Sequence, residues 1–275
     1  MKKGFTIDLN KCQRDGICGM VCPAGVIKVS QPGGYPEPTP EFEKFCLACG
    51  HCVSVCPVGA FGLDWLAPES CPPINSNLIL TPEEVEQLLR SRRSIRNFKK
   101  ELVEQDKLNK LLEIATYAPS AKNEQPWHWL VISNPAEVKQ LAGLAVNWIR
   151  LIIKEKPNIA REKGYHRVIA AWKKGKDPIC REAPHLIIGH GDKNWFFGPQ
   201  DFSIALTYIE LFAPALGLGT CWAGYFYSAA NFYPPLLEAL NIPDNHKVFG
   251  ALMVGYPKFK YHRLPLRNPA RITWK

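Results

Sequence analysis

The spacing of the cysteines constrains this chain more than any other feature. Cys46, Cys49, Cys52 and Cys56 stand in CLACGHCVSVCP, three thiolates at intervals of three residues and a fourth four further on, with Pro57 behind it. A loop of that pitch can wrap three corners of an iron–sulfur cube while its fourth cysteine reaches a neighbouring cluster. A second copy lies upstream in CQRDGICGMVCP, with Cys12, Cys18, Cys22 and Pro23, but Asp15 takes the place of its second cysteine. Crossed ligation assigns Cys22, Cys46, Cys49 and Cys52 to one complete 4Fe–4S cluster, and Cys12, Cys18 and Cys56 to the other. A carboxylate is a harder and more weakly held ligand than a thiolate. The second cluster is therefore expected either to be ligated by Asp15 or to lose that iron and become 3Fe–4S. Zinc also takes four cysteines, although its motifs usually come as two CxxC pairs far apart.

Eight of the ten cysteines precede Ile74. The opening MKKGFTIDLN reaches Asp8 before any apolar run, so no export signal is read there; metal ligation rather than disulfides, and a cytoplasmic location, are expected. Cys71, Cys180 and Cys221 read as small buried residues, and His51 as a loop residue beside a cluster. With 46% hydrophobic and 21% charged residues, the composition suits a globular protein and excludes disorder, collagen and coiled coil. Leu211 to Leu237 carries no charge and is long enough for a bilayer. Its prolines and glycines instead suit a helix, a turn and a strand, and no membrane span is expected.

The net charge of +9 is unevenly placed, because residues 1–75 sum to −1. Residues 150–181 hold ten Lys and Arg against three carboxylates, which reads either as a solvated helical excursion or as a landing site for an acidic electron carrier. Stacking aromatics and a binding fold are missing from that stretch, so nucleic acid is not expected.

Cysteine position and composition divide the chain into an iron–sulfur domain over 1–63, a Pro-rich linker over 64–80 and a second domain over 81–275. In the second domain, TPEE makes Thr81 an N-cap with Glu84 placed to close a capping box. Leu108, Leu111, Leu112 and Ala115 mark a second helix that stops before Pro119. A strand is expected over 127–133, a long helix over about 135–154, a helix over 201–216, and buried strands over 185–189 and 248–254. The domain is mixed α and β.

Residues 1 to about 62 resemble bacterial ferredoxins carrying two clusters, with Asp15 as the departure. The second domain carries RRSIRNF at Arg92–Phe98, PSAKNEQPW at Pro119–Trp127, LGLGTCWAG at Leu216–Gly224 and VGYP at Val254–Pro257. In this order and spacing they resemble the FMN-dependent nitroreductase family. The whole chain resembles the subgroup bearing an N-terminal ferredoxin domain. That resemblance implies an α+β fold and a homodimer with FMN at its interface. It makes Arg92, Arg93 and Ser94 phosphate and ribityl contacts, with Arg96 a helper. Pro119, Ser120, Ala121, Asn123 and Gln125 would approach the flavin from the partner subunit. Gly219, Thr220 and Gly224 would bring backbone amides to the ring, and Arg263 and Arg267, with Lys258 as substitute, would serve the phosphate. Trp222, Tyr225, Phe226 and Tyr227 could line the open ring face or belong to the core.

The implied activity is an iron–sulfur flavoprotein oxidoreductase. Electrons would pass from a one-electron donor such as reduced ferredoxin, through both clusters and FMN, to a nitroaromatic, quinone or similar conjugated acceptor. No side chain need act as the catalytic group, since the cofactor carries the chemistry. The alternatives are a redox-sensing or electron-transfer module, or another flavin reaction such as reductive removal of a substituent or dehydrogenation.

Overall fold

A computed structural model describes residues 4–275; Met1–Lys3, which open both the expected 1–63 domain and the stretch read for an export signal, lie outside the described residues. The chain forms two compact units, one of the described residues up to Ile79 with Lys122–Glu124, the other of Leu80–Ala121 with Gln125–Lys275.

The first unit runs β1 (Phe5–Ile7), α1 (Ile17–Met20), β2 (Ile27–Val29), β3 (Pro36–Pro38), α2 (Phe42–Phe45), α3 (His51–Val55) and β4 (Phe61–Leu63). β1 pairs antiparallel with β4, and β2 with β3. Val26, Ile27, Phe42, Val53, Phe61 and Leu63 pack together with Cys18 and Cys52. A core this small ordinarily needs a staple such as a metal centre.

Both cysteine loops follow one backbone path. Arg14 and Gly16 have φ of 58° and 74°, and Ala48 and Gly50 have φ of 52° and 72°. Each glycine takes the left-handed conformation without steric cost and turns the chain into α1 or α3. Asp15 therefore occupies in its loop the place that Cys49 holds in the other.

The second unit runs α4 (Pro82–Ser91), α5 (Gln105–Ala115), β5 (His128–Ile132), α6 (Pro135–Glu155), α7 (Pro157–Glu162), α8 (Tyr165–Lys173), β6 (His185–Asp192), α9 (Gly198–Phe212), β7 (Gly219–Trp222), α10 (Gly224–Phe232), α11 (Pro234–Leu240) and β8 (His246–Gly255). The strands form one antiparallel sheet in the order β5-β6-β8-β7. Alternate strand residues serve opposite faces: Leu186, Ile188 and Met253 pack with α6 and α10 residues, whereas Ile187, Leu252 and Val254 pack with α5 and α9 residues. With both faces covered, β6 and β8 run apolar on both sides through Leu186–Ile188 and Val248–Val254.

The capping box forms, with Thr81 Oγ1 accepting from Glu84 N at 3.2 Å and Glu84 Oε2 accepting from Thr81 N at 2.8 Å. Yet no residue of α4 is buried, and Val85 and Leu89 face outward. β6 and β8 exceed the apolar runs that announced them because His190, Asp192 and His246 extend the pairing past the core. α9 begins earlier than expected, at Gly198 with Pro199 in its first turn, and closes in a 3-10 turn at Ala213–Leu216. The uncharged run 211–237 breaks into α9, that turn, β7, α10 and α11, and among the described residues no helix is long and apolar enough to cross a membrane. Phe226 is core, and Tyr225 and Tyr227 pack against it.

Candidate functional site

Two cavities in the first unit are lined by its motif cysteines. One, of about 340 Å³, is lined by Cys22, Cys46, Cys49 and Cys52. The other, of about 300 Å³, is lined by Cys12, Asp15, Cys18 and Cys56. Each gathers three ligand-type residues from one loop and one cysteine from the other. That donor set fits an iron–sulfur cube. Burial pushes the Cys52 thiol up to about 11 and raises Cys18, so metal binding has to displace protons there. Ala60 N donates to Cys56 Sγ at 3.2 Å, the type of bond that tunes a cluster's potential. Asp15 Oδ1 accepts from Ile17 N at 3.2 Å.

In the second unit, the segment after α4 is sewn to the sheet. Ile95 N donates to Thr220 O at 2.8 Å, Lys99 N to Tyr256 O at 2.8 Å, and Lys258 N to Asn97 O at 2.9 Å. Ser94 pairs with Thr220, and Phe98 with Pro257. These bonds bring RRSIRNF beside GLGT and the chain following β8. Between them opens a cavity of about 1380 Å³ whose walls include Arg92, Arg93, Lys99, Lys258 and Lys260 against one carboxylate, Glu210. Gly219 and Thr220 form its glycine-rich edge. A neighbouring cavity of about 860 Å³ shares Arg92 and Arg93 and adds Arg90 and Arg267. A cationic cleft bordered by backbone suits a phosphate-bearing cofactor.

The anticipated residues divide accordingly. Arg92, Arg93, Gly219, Thr220 and Lys258 meet at the larger cavity, and Arg267 at the smaller; Arg263 lines neither. Ser94 stands beside Thr220 in the strap, the hydrogen-bonded segment 94–99 that follows α4, and Arg96 is exposed, its Nη1 donating to Ser94 O at 3.4 Å. Gly219 has an internal reason to be glycine, because a Cβ there would meet Ile95 Cγ1 at 2.4 Å. Gly224 has none, since a Cβ there meets nothing within 4 Å. Pro119, Ser120, Ala121, Asn123 and Gln125 line neither cavity. Ala121 N is held by Asp201 Oδ1 and Gln125 N by Ser120 Oγ, both at 2.9 Å. Lys122, Asn123 and Gln125 have φ of 55°, 57° and 49°, a density of left-handed non-glycine residues found where a loop is shaped for a task.

Glu210, Lys99, Lys260 and Arg90 were not anticipated. For Glu210 a signal existed: it is the lone charge in the second half of α9, within TYIELF. It is buried, with Arg92 Nη1 donating to Oε1 at 3.4 Å and Trp222 Nε1 to Oε2 at 3.0 Å.

The Nitroreductase family profile matches residues 89–256, and a 4Fe-4S dicluster domain profile matches residues 10–61. The chain belongs to the Nitroreductase family and is an oxidoreductase with an N-terminal 4Fe–4S dicluster domain. Its α+β architecture agrees with the reading of its motifs.

Among relatives, the "Putative NADH dehydrogenase/NAD(P)H nitroreductase" of Archaeoglobus fulgidus is 32% identical over 193 residues, covering 69% of this chain and 97% of that protein. The iodotyrosine deiodinase of Thermotoga neapolitana is 28% identical over 186 residues, covering 64% of this chain and 91% of that one. A nitroreductase with bound FMN from Bacteroides fragilis shares the fold, with a TM-score of 0.58 at 23% identity, over 70% of this chain and 99% of its own.

Proposed function

We propose that this chain holds two iron–sulfur clusters and FMN, takes electrons singly from a carrier such as reduced ferredoxin, and reduces a conjugated acceptor such as a nitroaromatic or quinone. Residues 1–63 form the cluster domain, 64–80 the connector and 81–275 the flavin domain. The observation that carries the reading is the pairing, in one chain, of two thiol-lined cavities with a cationic cleft in a nitroreductase fold. The clusters supply one-electron transfer, and FMN supplies the conversion to paired electrons.

The protein's own groups bind, orient and charge the site. Arg92, Arg93 and Arg267, with Lys258 in place of Arg263, hold the phosphate, Ser94 carries the ribityl side, and Gly219 and Thr220 bring backbone amides to the ring. The cationic wall favours negative charge on a reduced coenzyme. Open space at Gly224 leaves room for a ring or a partner's backbone. Pro119–Gln125 serve the partner subunit's site, and Arg96 steadies the strap. The uncovered apolar side of α4 and the exposed arm after β8, with Leu266 at 95% and Trp274 at 88% exposure, support a homodimer.

Cys22, Cys46, Cys49 and Cys52 take the complete cluster, and Cys12, Cys18 and Cys56 with Asp15 take the other. Asp15→Cys is expected to yield two four-iron clusters and slower iron loss on dilution, followed by electron paramagnetic resonance and iron content. Wild type with two ordinary all-thiolate four-iron signals removes the special role of Asp15.

The test of the whole reading is iron and flavin per chain in anaerobically purified protein, followed by an acceptor screen. About seven or eight irons and one FMN are expected, with turnover of some nitro or quinone compounds. Protein lacking flavin, or passing electrons only to carrier proteins, overturns it. The deiodinase relative favours including halogenated phenols, since reductive removal of a substituent is the second reading.

A further inference from the structure

A buried carboxylate in a cleft that otherwise presents cations needs a reason. Glu210 opposes the charge of any anion held there, and burying it carries a desolvation penalty. Both its oxygens are nevertheless used. Oε1 takes Arg92 Nη1 at 3.4 Å and Oε2 takes Trp222 Nε1 at 3.0 Å. The two donors come from different segments, one preceding the strap to β7 and the other ending β7, so Glu210 on α9 fastens both to one point.

Arg92 lies where the two cationic cavities meet, with its side chain 28% exposed. A guanidinium carries five N–H donors in a rigid fork, so one given to Glu210 leaves others free and fixes their direction. Without that anchor the side chain would sample several rotamers, and a ligand would have to order it.

We propose that Glu210 is a positioning residue that aims the Arg92 guanidinium at a phosphate monoester in the cleft; the inference rests on the FMN reading above. It acts through Arg92 and so concerns the phosphate end of the ligand, not its ring. Riboflavin, the same molecule without the phosphate, separates this role from general packing.

The test uses full-length protein depleted of flavin, with clusters intact, titrated with FMN and with riboflavin by fluorescence quenching. Glu210→Gln keeps size and an acceptor for Trp222 but loses the charge-assisted bond to Arg92. FMN affinity is expected to fall about tenfold, the scale of one charge-assisted hydrogen bond, with riboflavin affinity unchanged. Arg92→Gln should lower the FMN-to-riboflavin ratio by a similar factor, and adding Glu210→Gln to it should lower the ratio no further.

Equal losses for both flavins would make Glu210 a packing residue and overturn the proposal. Tighter FMN binding would make it a mere counter-charge, with the same consequence. Should Glu210→Gln fail to fold, Arg92→Gln decides, because an unchanged ratio there removes the target of the positioning. Wild type that binds neither flavin overturns the cofactor reading and this inference together. Wild type that binds FMN, with either failure above, overturns this inference alone.

Discussion

Replacing Cys22 with alanine is expected to strip the cluster of the other motif. Cys22 follows the first cysteine loop, yet its side chain lines the cavity of Cys46, Cys49 and Cys52. Removing it takes one of four thiolates from the all-cysteine site and leaves Cys12, Asp15, Cys18 and Cys56 around the other. Iron per chain should fall by roughly half, and the magnetic resonance signal that survives should be the one altered by Asp15→Cys. Ligation that followed the sequence motifs would give the reverse, with the Asp15-sensitive signal lost and the all-thiolate one kept. The domain should also become easier to unfold, because its small apolar core leaves much of the stabilisation to metal binding.

Acidification is expected to destabilise the second unit through three histidines on adjoining strands. His128, His190 and His246 cluster at one end of the sheet, with ring centroids 4.7 to 5.6 Å apart, and Nδ1 of His190 lies 2.9 Å from Nδ1 of His246. Burial, then the neighbouring His246 and His128, depress His190 to about 4. Burial and His128 also lower His246, partly offset by Asp192.

Because the folded value of His190 lies below its unfolded value of about 6.5, the unfolded chain binds more protons between the two. Stability is then retained above about pH 6.5 and lost as pH falls toward 4. His190 alone contributes about 2 to 3 kcal/mol of loss by pH 4.5. Urea unfolding of wild type and His190→Gln at several pH values checks this, since cluster loss in acid is common to both and cancels in the difference. Equal pH slopes for the two proteins would show that the trio carries no such strain.

Much of this molecule was legible in one dimension. The cysteine intervals announced both loops, and the left-handed glycines Gly16 and Gly50 show why a CxxC-type pitch can close around a volume. The capping box at Thr81 and the apolar periods of α5, α6 and β6 likewise depend on near neighbours along the chain. Periodicity, however, could not separate a core aromatic from one beside a cofactor; Phe226 went to the core, with Tyr225 and Tyr227 packed against it. Nor could it show that Gly219 is required by Ile95, or that Lys99 and Lys260 would join Arg92 and Arg93.

By itself the sequence determined what is local: two iron–sulfur loops with one carboxylate substitution, the helices and strands of an α+β unit, and the segments that resemble a flavin site. The motif also predicted that Cys22 and Cys56 each cross to the other loop's site, but only the tertiary structure decided which charges share a cavity and that Glu210 fastens Arg92 and Trp222. Local geometry follows from backbone sterics and side-chain period, which a single segment carries. A cleft exists only once strap, sheet edge and helix are hydrogen-bonded into register, and residues far apart in sequence are then held within a few ångströms of each other.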